Sequence, residues 1–314
     1  TNIMFLGFSA IFGLAMATTI LIAQAIGGGN LDLARRTLGA SIGLVTAIAT
    51  VTAVLGWLET PALLRALSTP AEAMPLATIY LRVIFAGMPF TFLTVLLSSA
   101  LRGAGDAITP LRAMILNVVL DAGLNPFLIA GIGPFPRLGI AGSALATLLA
   151  GLITVAFLVG YIYAKDLPLR LKRSELAYLA HGRALMGTIL SKGLPMGLSM
   201  IVLSASALAM MGLVNRAGVE TTAAFGAISQ LWNYIQMPAL AVGAGVSAMV
   251  AQNIGAGRWD RVEHIAWAGS AMNLAMTGAV LLLITLTDRF LLGLFLTPTS
   301  PAVAIGVHIN LVVG

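Results

Sequence analysis

Eight stretches of this chain are long and apolar enough to cross a lipid bilayer, and a ninth begins before the sequence ends. They lie near 3–27, 38–57, 78–100, 109–131, 139–163, 184–214, 222–254, 265–287 and 301–314. A membrane helix needs about 20 mostly apolar residues. Composition points the same way. Apolar residues make up 59% of the chain and charged residues 9%, with a mean hydropathy of +1.00. A soluble domain carries about 25% charge, so this chain has too little polar surface to be wetted all round. The expected fold is all-α, a polytopic helical membrane protein. Pro89 and Pro238 lie inside the third and seventh spans, where each frees a carbonyl and is expected to kink its helix.

The net charge of +6 does not mark a nucleic-acid binder, because the basic residues sit between apolar runs. Loops numbered alternately from the first span divide the Lys and Arg residues unevenly. One side holds twelve, among them Arg35, Arg36, Arg102 and Arg112; the other holds Arg65, Arg82, Arg137, Arg216 and Arg289. By the positive-inside rule the richer side is cytoplasmic. That side includes the basic stretch Lys165 to Arg183, read as an orienting linker on the membrane surface. The expected location is a bacterial-type inner membrane.

A repeat sets the organisation. "IAQAIGGGNLDLAR" (Ile22 to Arg35) and "VAQNIGAGRWDRVE" (Val250 to Glu263) share six identities of fourteen at an offset of 228. The matches are Gln, Gly and Asp as well as Ala and Ile, which a merely greasy chain would not favour. The same offset lays "LLRALSTP" (Leu63 to Pro70) on "LLGLFLTP" (Leu291 to Pro298). Extended along the chain, it leads to six spans plus six, in two parallel repeats. About nine spans are present here, and the first and the last two are expected to lie outside this sequence. The expected division is an N-terminal lobe 1–164, a linker 165–183 and a C-terminal lobe 184–314. Parallel repeats of this kind belong to alternating-access transporters.

Chemistry in such a chain should show as polar groups inside spans. Asp121 is the one acidic residue in the middle of a span, at a cost of roughly 2.5–3.5 kcal/mol. Asn117 and Asn125 flank it at one-turn spacing, making a single polar stripe. Pro126 follows and frees the carbonyl of Ala122. This set suits a proton or small cation; an Asp bonded between helices to fix packing is the alternative. In the seventh span, Trp232, Asn233, Tyr234 and Gln236 form a polar and aromatic cluster. It is either an interfacial belt or the wall of a cavity between the halves, able to stack a flat organic cation. Met200 and its neighbours in the sixth span are either packing or an adaptable pocket wall.

Other chemistries lack support. With no cysteine and three scattered histidines, disulfides and a metal centre are not expected. "GGGN" follows an apolar helix with no Lys-Ser/Thr after it, so it is no phosphate loop. His308, at the start of the last span, falls at the outer interface. No hydrolase motif occurs.

The paired "AQAIGGGNLDLAR" and "AQNIGAGRWDRVE", with "YLRVIFAGMPF", "LRGAGDAITPL", "GIAGSALAT" and "GLPMGLSM", resemble the multidrug and toxic compound extrusion (MATE) family in its order along the whole chain. The resemblance implies a twelve-helix antiporter that expels organic cations in exchange for H+ or Na+, and not an enzyme. One branch, the DinF-like, places Asn and then Asp-Pro in this helix; here Asp121 comes first and Asn125-Pro126 follows. Another branch places a Glu in the helix after the linker, where this chain has Leu203. The expected partners are small-molecule organic cations and membrane lipids, with no nucleic acid, no cofactor beyond the coupling ion, and a monomeric state. A lipid-linked oligosaccharide flippase of the same superfamily and a channel or scaffold are the alternatives.

Overall fold

The computed structural model describes residues 2–66, 70–132, 136–287 and 291–293, together with 305 and 307. All eight complete spans are helices: α1 (Asn2–Gly27), α2 (Leu31–Ala66), α3 (Met74–Gly103), α4 (Ile108–Ala130), α5 (Ile140–Ala164), α7 (Arg183–Val214), α8 (Val219–Gly255) and α9 (Trp259–Leu286). A short α6 (Tyr178–His181) lies in the linker. The ninth expected span, with His308, lies outside the described residues apart from 305 and 307. Seven of the long helices are apolar enough to cross a membrane, and α1 adds the apolar stretch Ile11–Gly27.

The apolar runs locate the helices but not always their ends. α2 reaches well beyond 38–57 on both sides, because a helix continues through its polar flanks where hydropathy stops. Its start is set by Asn30, whose Oδ1 accepts from the Leu33 amide at 2.9 Å, an N-cap that satisfies one of the free first-turn amides.

The chain falls into two compact units, Thr1–Leu198 and Ser199–Gly314. In the first, α1, α2, α3, α5 and the start of α7 surround two apolar clusters. One centres on Ile22, Leu38, Leu101 and Leu158, the other on Ile11, Phe85, Leu96 and Ile189. Lipid is as apolar as these side chains, so close packing and interhelical hydrogen bonds hold such a bundle. Small residues provide the approach. A Cβ at Gly13 of α1 would overlap the Gly193 carbonyl of α7 and stand 2.5 Å from the Gly197 amide nitrogen. Gly193 and Gly197 are the glycines of "GLPMGLSM". At Gly103 a Cβ would stand 2.6 Å from the Thr19 carbonyl. Hydroxyls add bonds from α1 to its neighbours: Thr18 lies 2.9 Å from Ser41 of α2, and Thr19 donates to the Ser99 carbonyl of α3 at 3.0 Å.

The linker folds back onto α2. Tyr178 and Leu179 rest on Gly39 and Gly43, and Gly182 rests on Ala40. The Tyr178 hydroxyl donates to Asp32 at 3.2 Å, and the Arg36 guanidinium lies over its ring. Arg35 pairs with Glu175 at 3.4 Å and donates to the Pro168 carbonyl at 3.0 Å. Glu175, which is buried, also accepts from the Lys172 amide at 2.6 Å. The stretch that the sequence marks by charge alone is therefore a docked strap.

In the second unit α8 and α9 pack through Ala227, Ile228, Leu231 and Ile284, and Leu292 beyond α9 joins the same cluster. The sequence repeat reappears in its local geometry. The amides of Gly28, Gly29 and Asn30 donate to the carbonyls of Gln24, Ile26 and Ala25; those of Ala256, Gly257 and Arg258 donate to Gln252, Ile254 and Asn253. Gly29 and Gly257 hold φ of +72° and +68°, a left-handed helix stop that favours glycine. The shared Gly is thus a requirement of the turn.

Candidate functional site

The polar stripe of α4 faces α5, which runs antiparallel to it. Thr147 Oγ1 donates to Asp121 Oδ1 at 2.8 Å, with the Ser143 carbonyl 3.3 Å away as a second acceptor. Asn125 Nδ2 donates to the Asp121 carbonyl at 2.8 Å and lies 3.3 Å from its Oδ2. One turn earlier, Asn117 Oδ1 stands 3.2 Å from the hydroxyl of the buried Thr154, which also reaches the Ala150 carbonyl at 2.7 Å. Both groups presented to the Asp121 carboxylate are donors. The Thr147 hydroxyl has two acceptors within reach, the Asp121 carboxylate and the Ser143 carbonyl. Pro126 lies inside α4, which continues to Ala130.

Thr147 and Asn117 also line a cavity of about 570 Å3 between α3, α4 and α5. Thr91, Thr94, Ser98 and Arg102 of α3 complete its polar wall, with Val95, Leu111 and Met114 as apolar lining. Residues 104–107 between α3 and α4 set this geometry. Gly105 takes φ +92°, and Asp106 Oδ1 accepts from the amides of Ile108 and Thr109 at 3.1 and 2.9 Å. Asp106 Oδ2 takes the Thr109 hydroxyl at 2.6 Å. The aspartate of "LRGAGDAITPL" is thus a helix cap.

Three residues of this site escaped the sequence reading. Arg102 counted as one more orienting charge at a span end, yet it stands in the cavity wall. Thr147 and Thr154 lie two turns apart on one face of α5, while their partners Asp121 and Asn117 lie one turn apart on α4, so no shared spacing marks the pairing.

In the second unit the aromatic cluster divides between faces of α8. Trp232 is half-buried and packs against the cluster of Ile228, Leu231 and Ile284. Asn233, Tyr234 and Gln236 are exposed within their unit, and Gln230 reaches the Tyr234 hydroxyl at 3.4 Å. Met200 is half-buried on α7. Among the described residues no three His, Asp or Glu side chains gather as a metal-binding group.

The MatE family model matches residues 1–127 and again residues 195–311, once in each half of the chain. The chain belongs to the MATE family. It is 35% identical over 293 residues to the probable multidrug resistance protein YoeA of Bacillus subtilis, covering 93% of this chain and 63% of that protein. It is 29% identical over 267 residues to an FAD transporter of Shewanella oneidensis, covering 82% and 56%. The chain thus spans less than two thirds of the length of these relatives. Its fold matches a crystal structure of MATE in complex with MaD3S at a TM-score of 0.86 and 22% identity, over 98% of this chain and 67% of that one. The double family match accords with the 228-residue repeat and with the shared helix stops at Gly29 and Gly257.

Proposed function

We propose that this MATE protein is a secondary antiporter that exports organic cations in exchange for H+ or Na+, with lobes 1–164 and 184–314 alternating access around a central route. The observation that carries this reading is Asp121: a half-buried carboxylate on α4, held by donors from α4 and α5, one hydroxyl away from a drug-sized cavity. Binding of the coupling cation neutralises that charge and biases the two states. A shift from 1:99 to 99:1 takes about 5.5 kcal/mol of differential binding. Asn117 and Asn125 complete the cation site, and Met200, Asn233, Tyr234 and Gln236, with Trp232 behind them, belong to the proposed substrate route. The protein acts as a monomer in an inner membrane, with the linker 165–183 on the cytoplasmic side.

The test is Asp121→Asn in vesicles with an imposed proton gradient. Gradient-driven ethidium efflux should fall to background while the protein still inserts at normal levels. Undiminished efflux would remove Asp121 from the mechanism. A second reading, in which the cargo is anionic, is favoured by Arg102 in the cavity wall and by the name of the Shewanella relative.

A further inference from the structure

The cavity between α3, α4 and α5 has a cation in its wall and no acidic residue to match it. Arg102 is half-buried. It gives one hydrogen bond, from Nη2 to Ser99 Oγ at 2.7 Å, and among the described residues it enters no ion pair. Asp106, four residues on, is committed to capping α4 with both oxygens. Asp121 meets the cavity only through Thr147, and its carboxylate is taken up by Thr147 and Asn125.

A guanidinium offers a planar fork of donors that fits a carboxylate or phosphate. A partly desolvated cation without a counter-charge is costly, and an acidic ligand relieves that cost. The volume suits one: ligand cavities commonly span about 300–1,000 Å3. Val95, Leu111 and Met114 provide an apolar bed beside the charge.

We propose that this cavity takes a drug-sized amphiphile bearing a carboxylate or phosphate, with the acidic group on Arg102 and the apolar body along Val95, Leu111 and Met114. The inference rests on the transporter reading for what becomes of the ligand, and on the cavity alone for its binding. It narrows the substrate class from organic cation to a molecule that also carries an acid.

Riboflavin and riboflavin 5′-phosphate test it, since they share a fluorescent ring and differ by one phosphate. The full chain is titrated with each in nanodiscs of phosphatidylcholine. The phosphate should tighten binding about tenfold or more. Arg102→Gln should abolish that preference and leave riboflavin affinity unchanged, while Arg102→Lys keeps part of it. Equal binding of the two probes by the parent protein, or a preference that survives Arg102→Gln, overturns the inference. Should Arg102→Gln lose both ligands, Arg102→Lys decides: a retained preference supports the subsite and a lost one overturns it.

Nanodiscs containing phosphatidylglycerol separate the two sources of the anion. If that lipid cancels the preference, and Arg102→Gln protein retains less of it by mass spectrometry, the occupant is a lipid headgroup. An undiminished preference assigns the site to a soluble acid. Either result supports Arg102 as the anion subsite. The readout is binding, so a failure of ethidium export would count against the antiporter reading and not against this one.

Discussion

Thr147 on α5 donates its hydroxyl to Asp121 on α4 across 2.8 Å, while the Ser143 carbonyl waits 3.3 Å from the same oxygen. One hydroxyl proton faces two acceptors. Thr147→Val keeps the shape and removes the donor. A hydrogen bond to a charged group is worth about 1.5–3 kcal/mol, so ethidium efflux should drop about tenfold or more, with recovery in Thr147→Ser. Undiminished efflux in Thr147→Val, or a loss that Thr147→Ser does not recover, would show that the hydroxyl bond to Asp121 plays no part.

The approach of α1 to α7 predicts a steric penalty. Gly13→Val forces a side chain into the Gly193 carbonyl and the Gly197 amide, which are backbone atoms that cannot swing aside. Overpacking of this kind costs about 1–3 kcal/mol. Thermal unfolding in detergent should show the loss. Gly160→Ala is the control, since a Cβ at Gly160 in α5 has nothing within 4 Å. It should be neutral or slightly stabilising through helix propensity.

The two helix stops predict matched effects. Gly29 and Gly257 hold left-handed backbones, and a Cβ there costs roughly 1–2 kcal/mol. Gly29→Ala and Gly257→Ala should each lower the unfolding midpoint by a similar amount. Space does not explain the loss, because no atom lies within 4 Å of either Cβ position. An unchanged midpoint in either variant would mean that its turn adopts another conformation.

The strap on α2 predicts protease sensitivity. Glu175→Ala removes the partner of Arg35 and the acceptor for the Lys172 amide. Trypsin should then cut near Lys172 and Arg173 several-fold faster. Tyr178→Phe loses only the bond to Asp32 and keeps the ring under Arg36, so its cleavage rate should stay near that of the parent. Equal rates in all three proteins would mean that the strap is held by other contacts.

Much of this architecture can be read from the chain because the bilayer punishes ambiguity. Spans of 20 apolar residues have one use, and a carboxylate such as Asp121 stands out by its cost. What stays hidden depends on pairing between helices. No pattern within α4 names Thr147 as its partner, since that choice needs the register between α4 and α5. Arg102 is concealed by a rule that is right on average: flanking arginines orient a span, and nothing local separates one that also borders a cavity. Trp232 and Tyr234 look like one cluster in the sequence, but two residues on a helix are about 200° apart, so one packs inward and the other opens outward. The docking of the linker is equally silent, because Gly39 and Gly43 look like ordinary small residues of a membrane helix.

The berth that receives Tyr178 has no counterpart at the matching positions of the second half. Moving 228 residues along replaces Gly39 with Trp267, Gly43 with Ala271 and Arg36 with His264, and the indole of Trp267 stands out 73% exposed where the hollow would be. The joining segment can therefore tell two sister halves apart, although they share a sentence of sequence and a helix stop. A linker laid along the matching helix of the second half would meet the Trp267 indole in place of a hollow.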